Sequence, residues 1–552
     1  MNKLNITLKN SKKVAADKGE TLNQIILKSN LEEYKECILC KFNGKLQELT
    51  YRVEEDGYLE PVSITEKISV STYVRTLQFI FIKAVYDLYP EAKISIEHAI
   101  SKGLFGEIYK NAPLDKEDIE KIKVRMKELI SRDILINKVS VSKEEAIKIF
   151  SSYGFEDKLR MLKHSNNDSL KLYELDGRYD YFYGPMGAST GVVKLFDLIF
   201  YSPGFILIPP NENNPNILPE FVEHKKLAKI FYETERWGKI LDVADVGSLN
   251  NKVVSGEIVD IVRIAEALHE KKAAYIADMV EEKKNVKIVL IAGPSSSGKT
   301  TFTRRLGIQL RVNGLMPVPI SLDDYFVDRE KTPKDEHGEY DFESIYALDL
   351  ELFNKNLKDL LEGEEVLMPQ FDFLTGTRKW HERPLKLPEN GVLLIEGIHG
   401  LNEMLTSSIP KENKFKIYIS ALTQLNLDNH NRIATTDVRI IRRIVRDALS
   451  RGYSAEQTLK MWPSIRRGEE KNIFVFQEEA DAMFNSALVY ELCVLKKYAE
   501  PELDKIQQDS PVYYEAKRLK SFLHFFKDVD KELTPDNSIL REFVGGSCFY
   551  KY

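Results

Sequence analysis

Hydrophobic and polar positions change rhythm along the chain and divide it into zones. In residues 1–62, short apolar runs (Leu4-Asn5-Ile6-Thr7-Leu8 and Cys37-Ile38-Leu39-Cys40-Lys41-Phe42) alternate with the turn signals Asn43-Gly44 and Asp56-Gly57. With one helical stretch at 21–29, this pattern predicts a small β-rich domain wrapped around a single helix. From 63 to 250 the pattern is mixed, as in an α+β domain. Helices are predicted over 73–88, 115–132 and 142–150, the second capped by Asp115 with Asp118 three residues on. Pro203-Gly204, Pro209-Pro210 and Pro215 punctuate the later part. Residues 251–284 read as a helical connector, apolar at Ile258, Ile261, Val262, Ala265 and Leu268 and ending in Glu281-Glu282-Lys283-Lys284. In 285–500, buried-strand runs at 286–292, 318–322, 392–395 and 415–419 alternate with helical segments. That alternation predicts an α/β domain with a mainly parallel sheet. Residues 501–552 form a tail, helical over 513–526, that carries no chemistry of its own.

Composition narrows the classes. The 552 residues are 43% hydrophobic and 30% charged, a soluble globular profile for which three or four domains are expected. Lys and Arg number 79 against 85 Asp and Glu, a net charge of −6, which argues against a bulk nucleic-acid binder but leaves a local basic face open. No apolar run approaches the ~18 residues of a membrane helix, and the N-terminus has no apolar signal region. Four cysteines cannot frame the fold with disulfides, so a reducing, cytoplasmic setting is expected. Cys37 and Cys40 form a C-x-x-C with no partner pair or His cluster nearby, which reads as strand packing.

The strongest local signal is Gly293-Pro294-Ser295-Ser296-Ser297-Gly298-Lys299-Thr300, followed by Thr301. This is G-x-x-x-x-G-K-[ST] between a predicted strand and a predicted helix. Its backbone N–H groups can turn inward around phosphate oxygens, helped by the helix N-terminus. Lys299 supplies a point charge for the β/γ-phosphates, and the Thr300 hydroxyl can ligate Mg²⁺. A nucleoside triphosphate site is therefore expected. Asp335-Glu336-His337-Gly338 matches the D-x-x-G of a GTPase, but no N-K-x-D follows.

Other residues point toward a kinase. Asp323 and Asp324 follow a predicted strand whose C-terminal end faces the nucleotide crevice of a parallel sheet. A carboxylate there can take a proton from an attacking hydroxyl, or merely cap a turn. Glu396 ends the apolar strand 392–395 and suits a metal-associated acid, with His399 close behind. Arg439, Arg442, Arg443 and Arg446 fall at i, i+3, i+4 and i+7 with apolar residues between, predicting a helix with one cationic and one apolar face. Beside a phosphate loop, that cationic face is expected to neutralise a transferring phosphoryl group. Arg451-Gly452 and Arg466-Arg467-Gly468 bracket a polar segment expected to act as a lid.

Six ordered blocks over about 285–500 (GPSSSGKTTF, SLDDYF, DFESIYALD, PQFDFLTGTRKW, VLLIEGIHGLN and DVRIIRRIVRD) resemble the uridine kinase/phosphoribulokinase family. The resemblance implies transfer of the ATP γ-phosphate to a sugar hydroxyl, in uridine kinases the 5′-OH of a nucleoside. It makes Asp323 the base, Lys299 and Thr300 the ATP·Mg²⁺ residues, Glu396 the metal-associated acid, and Arg439 and Arg442 phosphate and substrate contacts. It also implies substrate contacts at Tyr325, Asp341, Glu343, Phe371 and Arg378. Glu343 stands where uridine kinases place an Asp for the ribose hydroxyls. The family's base-reading Tyr and His fall on Phe371 and Gly376; Phe371 can still stack on a base, but neither offers a side-chain hydrogen bond. A broader or different nucleoside range is as well supported as uridine, because polar readout is what gives sharp discrimination.

Residues 1–62 resemble the TGS β-grasp domain of threonyl-tRNA synthetases. Residues 70–200 resemble the synthetase editing domain, through 84–90 and Asp180-Tyr181-Phe182-Tyr183-Gly184-Pro185-Met186. The editing centre's ligand positions read Arg75, Phe79, Phe182 and Met186, so metal-dependent hydrolysis should be absent. RNA binding, ligand sensing, and a structural or self-associating role stay open for this half. Two functional alternatives stand beside the nucleoside kinase: an RNA-responsive nucleotide switch, and a kinase of a non-nucleoside sugar phosphate.

Overall fold

The computed structural model describes residues 3–550 except 336, 337, 339, 373, 374 and 424, with backbone alone at 33 and 35. The interior of the Asp335–Gly338 tetrapeptide and Phe373-Leu374 of the base-reading block thus lie outside the described residues. The chain forms two compact units. The first holds the chain up to His224 together with Asp245–Ser248 and Asn426–Arg432; the second holds Lys225–Ala244, Leu249–Leu425 and the chain from Ile433 onward. No described helix is long and apolar enough to cross a membrane.

The first unit opens with a five-stranded sheet, in spatial order Lys13–Asp17, Lys3–Leu8, Gly57–Pro61, Leu39–Phe42, Lys45–Glu48. Helix Leu22–Ser29 starts at a Thr21/Gln24 capping box, and its Leu22 and Ile25 are buried with Ile6, Leu8, Cys40 and Leu59. This is the expected β-rich domain around a helix. Cys37 and Cys40 are free thiols inside it, with sulfurs 3.7 Å apart.

The remainder of the unit is α+β. Helix Lys67–Leu88 begins earlier than the apolar spacing suggested, and Lys116–Ser131 carries the Asp115/Asp118 capping box read from sequence. An antiparallel four-stranded sheet (Asp197–Tyr201, Gly204–Ile208, Gly103–Tyr109, Lys93–Ile100) and an antiparallel three-stranded one (Arg178–Asp180, Ser169–Leu175, Asn137–Ser142) complete it.

The hairpin Asn426–Asp428/Asn431–Arg432 enters this unit from far along the chain. The Ile96 amide donates to the Asn429 carbonyl at 2.8 Å, and Asn426 Nδ2 donates to the Ile96 carbonyl at 3.0 Å. Lys158, Asp180 and Asp428 are each fully buried. The Lys158 ammonium lies 3.0 Å from Asp180 and 2.9 Å from Asp428, and His430 Nδ1 meets Asp180 at 2.6 Å. Burial alone would lower the Lys158 pKa, but the two carboxylates hold it above its ordinary value.

The second unit is built on a five-stranded sheet in order Met316–Ser321, Gly391–Glu396, Ile288–Ala292, Lys414–Ser420, Ala482–Asn485, in which every pair is parallel. Its central strand is buried throughout, as the continuous apolar run required. The expected boundaries at 250 and 284 do not separate the compact units. Lys226 Nζ donates to the Glu478 and Ala480 carbonyls, anchoring 225–244 in the second unit. Helix Ile258–Glu282 is no free connector: its Glu266 and Glu270 pair with the buried Arg305 of the helix that follows the phosphate loop.

Replacing Lys158 by Met should cost about 3–5 kcal/mol, because two buried carboxylates lose their countercharge. Urea unfolding of the full chain measures it; an unchanged midpoint would mean the buried cluster adds nothing to stability.

Candidate active site

Strand Ile288–Ala292 delivers the phosphate loop to the C-terminal edge of the sheet, where strand order reverses and crevices form. Ser296 (φ 59°) and Gly298 (φ 83°) take left-handed backbone conformations that curl the loop before helix Lys299–Val312 begins. Gly293 is required by close approach, since a Cβ there would sit 2.1 Å from the Ile419 carbonyl oxygen. Lys299 Nζ donates back to the carbonyls of Gly293 (2.9 Å) and Pro294 (3.2 Å). Burial lowers its pKa, opposed by the Glu396 and Asp323 carboxylates.

Three predicted residues gather around that ammonium. Thr300 Oγ1 donates to Glu396 Oε1 at 3.3 Å, so a hydroxyl and a carboxylate converge as a hard-oxygen pair suited to Mg²⁺. Burial, reinforced by the Asp323 carboxylate, pushes Glu396 up to about 7. Asp323 lies in the 3₁₀ turn Leu322–Tyr325 directly after strand Met316–Ser321, and no hydrogen bond from the described residues engages its carboxylate. Its neighbour Asp324 instead accepts the Phe371 amide at 3.2 Å. Two successive carboxylates thus divide into one free and one structural.

Glu343 joins the same group. Burial and the Glu469 carboxylate push it up to about 7, against the pull of Arg443 and Lys299, and its Oε2 has no hydrogen-bond partner among the described residues. Gly468 lets it in, because a Cβ there would lie 2.3 Å from the Glu343 Cβ. Asp341 accepts the Glu343 amide at 3.1 Å and shapes the turn. Phe371 sits on the hairpin Pro369–Asp372/Thr377–Trp380, its ring 5.7 Å from that of Phe326. Arg378 is committed to Asp349 (2.9 Å) and the Phe326 carbonyl (3.1 Å), where it braces that hairpin.

The structure corrects three expectations. Tyr325 is no substrate contact: it is 1% exposed, its hydroxyl accepts from Asn356 Nδ2 at 3.1 Å, and its ring packs edge-on against Phe353. Arg439 and Arg442 do not form an open cationic face. Both are buried on helix Thr435–Arg446, where solvation is replaced by carboxylates and loop carbonyls. Arg439 pairs with Glu469 and donates to the Ser295 carbonyl at 3.0 Å. Arg442 pairs with Glu491 at 2.5 Å and donates to the Ser296 carbonyl at 3.3 Å. They brace the phosphate loop through its carbonyls. Arg443 instead donates to Ser295 Oγ at 2.6 Å, and burial lowers its pKa to about 10.

Sequence reasoning missed Glu469, Glu491 and Glu542. Glu469, on helix Ala455–Asn472 where a lid was expected, accepts the Ser295 amide at 3.0 Å. Glu542 accepts from the Thr301 amide (3.1 Å) and hydroxyl (2.7 Å). The Glu-Glu pair at 469–470 after Arg466-Arg467 was the sole hint of the first, and nothing local marks the others. His399 is buried, and its imidazole is pushed down to about 4 by that burial, so it is neutral.

In the first unit Arg75, Phe79, Phe182 and Met186 lie in packed surroundings. The Phe79 and Phe182 rings lie 5.0 Å apart, Thr76 Oγ1 donates to Met186 Sδ at 3.4 Å, and Arg75 donates to the Pro185 carbonyl. No group of three or more His, Cys, Asp or Glu side chains placed to hold a metal ion occurs among the described residues.

Against this geometry, the Phosphoribulokinase / Uridine kinase family matches residues 288–490. The second unit therefore carries a kinase-family domain. The N-terminal half is related to threonine–tRNA ligases. That of Clostridium tetani is 29% identical over 197 residues, covering 36% of this chain and 31% of the relative. That of Caldanaerobacter subterraneus is 30% identical over 195 residues, covering 35% and 30%. The chain thus spans about a third of the length of these curated relatives. Among solved structures, one described as a possible uridine kinase from Bacillus stearothermophilus covers 36% of this chain and 89% of its own at 20% identity, with a TM-score of 0.24.

The Glu343 carboxyl has a folded pKa of about 7 against an ordinary 4.5. The native state therefore holds that proton more tightly than the unfolded chain. The associated stability is full below about pH 4.5 and is lost as pH rises through about 7. Glu343→Gln removes this dependence, so its melting temperature should gain on the parent by about 2–4 °C between pH 5 and pH 8. A constant difference across that range in ligand-free thermal melts would refute the assignment.

Proposed function

We propose that the second unit transfers the γ-phosphate of ATP to the 5′-hydroxyl of a nucleoside. The observation that carries this reading is the unengaged Asp323 carboxylate standing with Lys299 and the Thr300–Glu396 pair at the end of a parallel sheet. Thr300 and Glu396 are the residues that would hold Mg²⁺, and a divalent ion there supplies charge neutralisation to the phosphate oxygens. Asp323 accepts the proton of the attacking hydroxyl. Lys299 exchanges its bonds to the Gly293 and Pro294 carbonyls for phosphate oxygens. The partnerless Oε2 of Glu343 is an acceptor for sugar hydroxyls. Phe371 offers a stacking face to a base and no polar readout, which favours a broad nucleoside range over strict uridine specificity.

Coupled ATP turnover on a panel of nucleosides and ribulose 5-phosphate tests the acceptor. Turnover with several nucleosides is expected, and activity on ribulose 5-phosphate alone would transfer the reading to a sugar phosphate kinase. Asp323→Asn should keep ATP affinity and lower kcat by about 10²–10⁴. Near-parental kcat would remove Asp323 from the proton transfer.

The relation of the N-terminal half to threonine–tRNA ligases favours a second, compatible activity, RNA contact through that half. Filter binding of tRNA to the full chain at several salt concentrations should give a steep salt slope if phosphates are neutralised. A flat slope with no retention would discard it.

A further inference from the structure

The phosphate loop is already occupied by the protein's own anions. Its N–H donors are the groups that cradle nucleotide phosphates. Yet the Ser295 amide donates to Glu469, and the Thr301 amide and hydroxyl donate to Glu542 Oε2 at 3.1 and 2.7 Å. Glu542 belongs to the short helix Arg541–Val544 near the end of the chain, beyond the 288–490 kinase-family match. It is 7% exposed, and Thr301 is fully buried. Helix Lys299–Val312 has Gly298 at its N-cap, a residue with no side chain to satisfy the first-turn amides, so an outside acceptor is called for. The same segment presses on the loop itself: the position of a Gly298 Cβ would lie 2.5 Å from Ile539 Cγ2. Tyr550 shares the Thr301 hydroxyl.

We infer that the C-terminal segment 538–550 is an autoinhibitory strap whose Glu542 carboxylate competes with nucleotide phosphate for the start of the phosphate-loop helix. The inference rests on the loop being a nucleotide site. A carboxylate and a phosphate both seek the same positive helix end and repel one another, so both cannot hold the Thr301 donors together. Binding of nucleotide must lift Glu542 away. The strap is tethered by contacts that need not break when its tip moves: Ser538 donates to Glu266 at 2.5 Å, and Arg541 donates to the Thr534 carbonyl at 2.8 Å.

Cys548 provides a reporter, because it is exposed while Cys37, Cys40 and Cys493 are buried. In the full chain, N-methylanthraniloyl-ATP should bind Glu542→Ala about tenfold more tightly than the parent, and Glu542→Gln more tightly by a smaller factor. In the parent protein, a fluorophore on Cys548 should lose anisotropy when a non-hydrolysable ATP analogue saturates the site, a measurement that needs no variant to fold. Unchanged or weaker binding by a folded Glu542→Ala, or unchanged anisotropy on saturation, overturns the strap while leaving the nucleotide site standing. Absence of nucleotide binding by parent and variant alike overturns the nucleotide-site reading itself.

Discussion

The second unit depends on two buried ion pairs that grip the phosphate loop. Arg439 with Glu469, and Arg442 with Glu491, place guanidinium groups on the Ser295 and Ser296 carbonyls. With the Ser295 and Ser296 carbonyls held and the Ser295 amide turned to Glu469, the left-handed turn at Ser296 is over-determined from outside. Buried charges cost desolvation that only close pairing offsets. Each arginine here has a carboxylate and loop oxygens, so charge and hydrogen-bond capacity are both met. Everything that needs the loop's shape, Lys299, Thr300 and through it Glu396, rests on that grip.

The crevice sorts its carboxylates by environment. Asp324 and Asp341 are tied to backbone amides and build turns. Asp323 is left unengaged, while Glu343 and Glu396 are crowded and buried enough to hold protons near neutrality. Adjacent residues of one chemical type thus divide into those tied to backbone amides and those that are not. Lys299 is the charge around which the second set is organised.

The interior of the first unit is filled by packing at Phe79, Phe182 and Met186. They fill the space there with rings and a thioether. Its polar investment lies instead in the Lys158, Asp180 and Asp428 cluster, completed by a hairpin from 250 residues downstream. That hairpin ends at Arg432, three residues before the helix that carries Arg439 and Arg442 begins.

Most of the fold was legible where structure follows from contiguous residues. Alternating apolar residues gave the β-rich domain, Asp115 and Asp118 gave a helix start, and continuous apolar runs gave the strands of the parallel sheet. The loop, Asp323 and Glu396 could be placed because strand, turn and helix are joined covalently, and the joint itself fixes their geometry. Residue pairing over distance could not be read. The arginine stripe promised an open cationic face because periodicity reports which residues share a helix face and is silent on what packs against it. Tyr325 followed the same logic into the core. Glu542 meets Thr301 across 241 residues, and the hairpin 426–432 joins a unit that its neighbours in sequence do not. The sequence by itself therefore determined where the G-x-x-x-x-G-K-T loop and its adjoining carboxylates stand along strand, turn and helix. Only the tertiary structure decided which charges face the crevice and which hold it up, because that choice is made by burial against segments far away in the chain.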